Sequence, residues 1–254
     1  IDQTIAKHLA PKPGGTYHEP FVGGGAVFFH RLPTRAFLTD SNARLIRTYR
    51  GIQGDVERVI AQLRKFEKQH EKDFYLEVRA QNIDSSKKDA DVAAWFIYLN
   101  RTGYNGLYRV NSKNGFNVPF GDYKKPMICD ADNLRACAQA LEGARIENTD
   151  FTAVAKRAKK GDFVYFDPPY IPLTATSRFT DYTSEGFSDA EQVKLRDVAL
   201  ELKARGVSVL LSNSSAPRVH DLYAKGFERR EVLARRSVNS DPTGRGRIPE
   251  LLIY

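Results

Sequence analysis

Asp167-Pro168-Pro169-Tyr170 follows directly on the apolar run Phe163-Val164-Tyr165-Phe166, which reads as a buried strand. Such a strand would deliver a carboxylate, a stiff turn and an aromatic ring together to the rim of a sheet. Two consecutive prolines remove two backbone donors and fix φ twice, so carbonyl oxygens are left pointing outward. A carboxylate beside a free carbonyl is an acceptor pair suited to an amino group, and Tyr170 offers a flat face to a planar ring. The set fits a cradle for an exocyclic amine on an aromatic heterocycle, such as N6 of adenine. An Asp-Pro turn closing a buried strand would use the same residues for structure alone, and the tetrapeptide by itself leaves both readings open.

A second group lies near the start of the chain. Glu19-Pro20-Phe21-Val22-Gly23-Gly24-Gly25-Ala26 places three glycines between a predicted strand and a predicted helix, where the backbone turns tightly and a ligand can approach it. A dinucleotide fingerprint would need a further glycine where Phe28 stands, which disfavours nicotinamide or flavin. Asp40 ends the next predicted strand, placed to accept the hydroxyls of a ribose or, alternatively, to cap the following helix. Asp150 follows a later strand and carries the same two readings, contact with an adenine amine of a cofactor or a helix cap.

The elements that must position these groups are legible from periodicity. A helical stretch at Ile5–Leu9 and a turn at residues 11–15 precede a strand around Tyr17–Glu19, a helix starting at Ala26–Phe29, and a strand at Ala36–Leu38 that ends at Thr39-Asp40. The periodicity then becomes helical from Asp55 to Asn100, broken at Asn82–Lys88, and is followed by a Gly-, Asn- and aromatic-rich segment, Arg101–Tyr123. Strands return near Arg145–Glu147, Phe163–Phe166, Val207–Leu211 and Leu251–Tyr254. We therefore expect a doubly wound, mostly parallel α/β sheet carrying an insertion, with a first catalytic part at 1–53, the insertion at 54–138 and a second catalytic part at 139–254.

Composition narrows the partners. The chain of 254 residues is 41% hydrophobic and 28% charged, the profile of a globular protein, and neither a membrane span nor a signal-peptide pattern is present. Two cysteines and five histidines without ligand spacing predict neither disulfide framework nor metal. A net charge of +8 suits an anionic partner or a solvated basic surface. The charge is clustered: residues 203–247 hold ten Lys or Arg against four acids, and residues 101–125 five against one.

Taken together, these motifs resemble the Dam-type (D12 class) DNA adenine-N6 methyltransferases. The likeness rests on Glu19-Pro20-Phe21 with Gly23-Gly24-Gly25, Asp40, the segment Asn100-Arg101-Thr102-Gly103-Tyr104-Asn105-Gly106-Leu107-Tyr108-Arg109, then Phe116 to Gly121 and Asp167 to Tyr170. It continues through Pro172 to Thr176, Phe179-Thr180, Phe187, Ser212-Asn213, Arg235-Arg236-Ser237 and Glu250-Leu251-Leu252. Several motifs in one order are more specific than any one of them.

The resemblance implies a class I S-adenosylmethionine-dependent methyltransferase fold with an inserted helical and β-hairpin recognition domain. It further implies S-adenosylmethionine as donor, held by Glu19, Pro20, Phe21, Gly23, Gly24, Gly25, Ala26, Asp40, Asp150 and Asp167. A flipped adenine of duplex DNA, within GATC, would be the acceptor at Asp167, Pro168, Pro169 and Tyr170. Asp167 and the Pro168 carbonyl would take the hydrogens of N6, and Tyr170 would stack on the extruded base. Tyr104 would wedge into the base stack or contact the duplex near the vacated space, and Asn105 would bind DNA beside it. Leu107 and Pro119 would touch bases, Arg109 would read a guanine edge, and Asn111, Asn117, Tyr123 and Lys124 would hold phosphates. The basic residues Arg229, Arg230, Arg235, Arg236, Arg245 and Arg247 would face the duplex or line the DNA cleft, some of them as ordinary surface charges. A monomer acting in the cytoplasm of a bacterium, phage-encoded or not, is expected, with more than one copy on a palindromic site; restriction-modification is one setting.

Two departures stand out. Family members begin with a Lys-Trp-x-Gly-Gly-Lys segment that helps hold the cofactor, whereas this sequence opens at Ile1, and we expect a disordered N-terminus to account for it. Asp122 stands where some relatives carry a phosphate-binding Arg. Competing readings keep the fold but move the methyl to RNA or a protein amide, or keep only the DNA binding.

Overall fold

Phe163–Phe166 forms β4, and all four side chains are buried, as a central strand covered on both faces requires. A computed structural model describes residues 12–173, 187–235 and 247–254. The helix expected at Ile5–Leu9, and the motif residues Thr174 to Thr176, Phe179, Thr180, Arg236, Ser237 and Arg245, lie outside the described residues. Around β4 are β1 (Tyr17–Glu19), β2 (Ala36–Asp40), β3 (Ala144–Asn148), β5 (Ser208–Ser214), β6 (Arg229–Arg235) and β7 (Arg247–Ile253). The described strands form one seven-stranded sheet in the order β3-β2-β1-β4-β5-β7-β6. β1 runs parallel to β2 and β4, and β4 to β5, while β7 is antiparallel to both β5 and β6. This is the mostly parallel α/β sheet expected, and its strand order reverses between β1 and β4. Ligands of such sheets bind outside the carboxyl ends of the strands at that reversal.

The described helices are α1 (Ala26–Arg31), α2 (Ala43–Lys68), α3 (Lys72–Ala80), α4 (Asp89–Thr102), α5 (Ala131–Leu141), α6 (Ala153–Arg157), α7 (Asp189–Ala204) and α8 (Pro217–Leu222). The chain divides into two compact units, one of residues up to Ser41 with Thr149–Tyr254, the other Asn42–Asn148. The second is wider than the insertion of 54–138 read from the sequence. Asn42 caps α2 by accepting from the amides of Arg44 and Leu45, so the helix begins well before Asp55, where a local kink (φ −154°, ψ 61°) marks the start that periodicity suggested.

The first unit has its core where Val164 and Phe166 of β4 and Leu211 of β5 meet Val154 of α6, Leu195 and Leu202 of α7 and Val219 of α8. In the second unit Val59, Ile60 and Leu63 of α2, Tyr75 and Val78 of α3, and Trp95, Tyr98 and Leu99 of α4 are all buried. A break at residues 69–71, between α2 and α3, divides the first helical run that was expected to continue to Asn82. The expected recognition hairpin is not a ladder: its antiparallel pairing reduces to isolated bridges, Gly103 with Phe120 and Val110 with Phe116.

Three strand readings shift. β5 runs on through Ser212, Asn213 and Ser214, all buried, because these polar groups bond one another's neighbours instead of water. β7 begins at Arg247, earlier than the expected Leu251. β6 was read as part of a basic stretch, yet it is the edge strand, where charged side chains block pairing with another chain. No helix among the described residues is long and apolar enough to cross a membrane.

Candidate active site

A cavity of about 640 Å³ opens at the strand-order reversal, and its described lining comes wholly from the first unit. β1 contributes Glu19 and the loop that follows it, Phe21, Val22, Gly23, Gly24 and Gly25, with Ala26 and Val27 of α1; β2 contributes Asp40 and Ser41. β4 delivers Asp167, Pro168, Pro169 and Tyr170; Phe187, Glu191 and Glu250 complete the described wall. The two motifs singled out from the sequence therefore share one cavity.

The glycine loop turns because Gly23 (φ 45°) and Gly25 (φ 65°) sit in the left-handed region, and the Gly25 amide closes the turn on the Val22 carbonyl at 2.7 Å. A Cβ at Gly23 or Gly24 would meet no protein atom within 4 Å. The room it would take is therefore open to a ligand. The Asp40 carboxylate accepts the Gly23 amide at 3.1 Å, tying the loop to the end of β2, while the cap of α2 falls to Asn42. Phe21 stacks on Phe151 and meets Phe166 and Phe187 edge-on.

Two residues expected at the cofactor, Pro20 and Asp150, are not among the cavity's described lining. Pro20 lines a separate small space with His18, Phe37 and Val154, because alternate residues leaving β1 point to opposite faces of the sheet. The exposed Asp150 carboxylate accepts the Thr152 amide at 2.9 Å in the turn before α6, whose N-cap position is Thr152.

The Asp167 carboxylate is oriented from behind. Ser212 of β5 donates its only hydroxyl proton to Asp167 Oδ1 at 2.6 Å, so the Tyr165 hydroxyl, 3.1 Å from Ser212 Oγ, donates into it. The prolines are held as well. Gln192 of α7 donates to the Pro169 carbonyl at 2.9 Å, Asn213 donates to the Gln192 carbonyl at 3.3 Å, and Asn213 Oδ1 accepts the Ile171 amide at 3.0 Å. Gln192 and Asn213 are wholly buried, so these bonds are shielded from water. Among the described residues, the Pro168 carbonyl takes no hydrogen bond. Gln192 escaped the sequence reading; its one trace there is Ser188-x-x-Glu191, a capping box that marks the start of α7.

Burial raises the pKa of Asp167; the bonds from Ser212 and Tyr170 act the other way. The Asp167 side chain is nonetheless exposed to the open cavity, so solvent moderates this rise. Ser212→Ala is expected to lower turnover about tenfold with little change in substrate affinity, the loss of one hydrogen bond to a charged group. Steady-state kinetics of the variant check this, and an unchanged kcat would remove Ser212 from the arrangement.

Glu19 is 2% exposed and accepts the Tyr17 hydroxyl at 2.7 Å. Burial raises its pKa from 4.5 to about 8; the Tyr17 bond opposes this and the negative charge of Asp167 adds to it. At neutral pH it is protonated in the folded chain and ionised in the unfolded one. Stability should then fall as pH rises between 4.5 and about 8, and level off above. Glu19→Gln, always neutral, is expected to flatten that slope in urea unfolding; a slope equal to wild type would locate its origin elsewhere.

The residues expected to read and hold the DNA site, Tyr104 to Lys124, fall in the second unit, on the loop from Gly103 to Lys125, while the basic stretch from Arg229 belongs to the first unit. Tyr104 (50% exposed), Leu107, Tyr123, Lys124 and Pro119 present their side chains to solvent. Tyr108 instead stacks on Phe96 and Phe116 meets Trp95 edge-on, so both rings pack inward. Arg109 is fixed by Asn117, whose side-chain and backbone carbonyls accept at 2.8 and 3.0 Å. Asn111 holds the turn of the loop through the Lys113 and Gly115 amides. The Tyr123 hydroxyl accepts the Asn105 amide at 2.9 Å, and Asn105 lies in the left-handed region. Three residues expected on phosphates thus work inside the loop. At the C-terminal edge, Arg229 donates to the His220 carbonyl at 2.6 Å.

A family model described as D12 class N6 adenine-specific DNA methyltransferase matches residues 2–238. The chain is similar to the Type II methyltransferase M1.LlaDCHI of Lactococcus lactis subsp. cremoris, 42% identical over 97% of this chain and 88% of the relative. It is also similar to the Type II methyltransferase M.MjaIII of Methanocaldococcus jannaschii, 39% identical over 94% of the chain and 87% of the relative. A DNA adenine methylase of Vibrio cholerae is 36% identical over 92% and 84%.

Proposed function

Since this chain belongs to the D12 class of N6 adenine-specific DNA methyltransferases, and is a DNA adenine-N6 methyltransferase, we propose that it methylates an adenine flipped out of duplex DNA within GATC, using S-adenosylmethionine. The observation that carries this reading is the shared cavity: glycine loop and Asp167-Pro168-Pro169-Tyr170 turn meet at the one place where such a sheet binds ligands.

The residues present fit that cofactor. Asp40, Asp167, Glu191 and Glu250 line the cavity beside the neutral Glu19, and no Lys or Arg does among the described residues, which suits a cationic ligand and not a phosphate. Gly23, Gly24 and Gly25 leave room for close approach, Phe21 supplies an aromatic wall, and Asp40 supplies the acceptor for ribose hydroxyls. When bound, the cofactor supplies an electrophilic methyl group on a sulfonium.

The chain's own contribution is positional. Asp167, oriented by Ser212, and the Pro168 carbonyl accept the two N6 hydrogens, turning the nitrogen lone pair out of conjugation with the ring. Tyr170 stacks on the base and recovers part of the unstacking cost, a few kcal/mol. The ionised carboxylate is the acceptor, so turnover rises with pH through the raised pKa of Asp167.

The second unit supplies recognition: Arg109 reads a guanine edge, Leu107 and Pro119 contact bases, Tyr104 meets the space the adenine leaves, and Lys124 takes a phosphate. The enzyme works as a monomer in the cytoplasm. Plasmid treated with protein and S-adenosylmethionine should resist an endonuclease that adenine methylation of GATC blocks. Continued cleavage beside robust methyl incorporation would exclude GATC, and no incorporation would exclude the donor or the substrate.

A further inference from the structure

Arg44 lies in the first turn of α2 and is 6% exposed, an unusual place for a guanidinium. Its Nε and Nη2 fork onto Asp84 at 2.8 and 2.6 Å, and Nη2 also donates to the Asn114 backbone carbonyl at 2.7 Å. Asn114 returns the contact, its amide donating to Asp84 Oδ2 at 3.1 Å. Below, the guanidinium lies 5.2 Å from the centroid of the Trp95 ring, the ring that Phe116 meets edge-on. Asn114 stands at φ 58°, at the tip of the loop, where a side chain is strained unless something holds it.

Resting on the reading of this loop as the recognition element, we propose that Arg44 is a positioning residue for sequence readout: from beneath, it locks the loop tip through Asn114 and Asp84, so that Arg109 is presented before DNA arrives. The physical reason lies in the pattern of bonds. The sides of the loop are tied by the Val110–Phe116 bridge and by Arg109 with Asn117, and its flanks are seated on the helices by Tyr108 on Phe96, Phe116 on Trp95 and the Tyr75 hydroxyl on the Val118 carbonyl, but these contacts leave the tip at Asn114 without a reference to the helices. The Arg44 clamp supplies that reference, joining the tip to α2 and to the turn carrying Asp84. A preset loop binds its site without ordering it first, which raises affinity and sharpens rejection of wrong sites.

Arg44→Lys tests this, because an ammonium keeps the charge beside Asp84 but cannot fork onto Asp84 and reach Asn114 in one plane. The expected result is a KM for GATC duplex raised about tenfold, the size of one lost charge-assisted bond, with kcat at saturating DNA altered far less. The ratio of kcat/KM between GATC and duplexes with one changed base should fall by a similar factor. Arg47→Lys is the matched control, since Arg47 clamps Asp89 and the Ser86 carbonyl from the same helix at 2.6 and 2.7 Å without touching the loop. Should Arg44→Lys fail to fold, Asp84→Asn removes the same charged acceptor and carries the same comparison. Wild-type discrimination in the variant, or an equal loss of discrimination in Arg47→Lys, overturns the proposal. Failure of the wild-type protein to prefer any duplex would instead overturn the reading of the loop.

Discussion

Asp167→Ala is expected to lower methyl transfer to DNA by about 10³-fold, the scale set by removing a preorganised group that acts on the reacting centre. Duplex affinity should stay within about twofold, because the loop residues that would contact DNA lie in the other unit. The loss is not general disruption: Gln192 and Asn213 hold the prolines whether or not the carboxylate is present. Asp167→Asn is the sharper variant. It preserves shape and one acceptor but would turn a donor toward either Ser212 or N6, so it too should be severely slowed, and the rise of rate with pH should vanish. Single-turnover kinetics beside a binding titration separate the two effects, and full activity in Asp167→Ala would end the assignment.

Trp95→Ala is expected to destabilise the protein by roughly 3–5 kcal/mol, the usual cost of deleting a buried large aromatic ring. Trp95 is 1% exposed, its Nε1 donates to the Val78 carbonyl at 2.8 Å, Phe116 leans on its face and Arg44 lies over it. The variant thus opens a cavity, removes one of the bonds to the Val78 carbonyl, which keeps the Gln81 amide, and releases the recognition loop at once. Since a domain is stable by only about 5–15 kcal/mol, this is a large share. The unfolding midpoint should fall by roughly 10 °C, and methylation lost on warming should return on cooling. Trp95→Phe should recover part of the midpoint but not the Val78 bond. A midpoint unchanged in Trp95→Ala would refute the placement of this ring as the centre of the second unit.

How far the sequence could be read depends on the kind of interaction. The strand-glycine-helix-strand start and the Phe163–Phe166 strand were legible because apolar runs and glycines carry local signals. The reading of β5 stopped short at Leu211, since Ser212-Asn213-Ser214 looks like a loop until one sees that each side chain finds a buried partner. β6 hid behind its charge, which is what an edge strand needs. The start of α2 was obscured because its first turns bury Arg44 and Thr48, polar residues that break the apolar stripe. Gln192 and the Arg44–Asp84–Asn114 clamp were invisible for a different reason. Their partners are distant along the chain, and no local pattern marks a long-range polar bond. Pro20 and Asp150 lie outside the cavity's described lining by the same limit: motif proximity places a residue near a site, while strand alternation and a local turn decide where its side chain goes.

The central claim, that one cavity brings a methyl donor and an extruded adenine together at Asp167, is tested most directly by sequencing modified bases in duplex DNA after reaction with the protein and S-adenosylmethionine. N6-methyladenine confined to GATC, present with wild type and absent with Asp167→Ala, is the predicted result. Methyl groups on cytosine, label appearing only in RNA or protein, or N6-methyladenine formed equally by Asp167→Ala would contradict it.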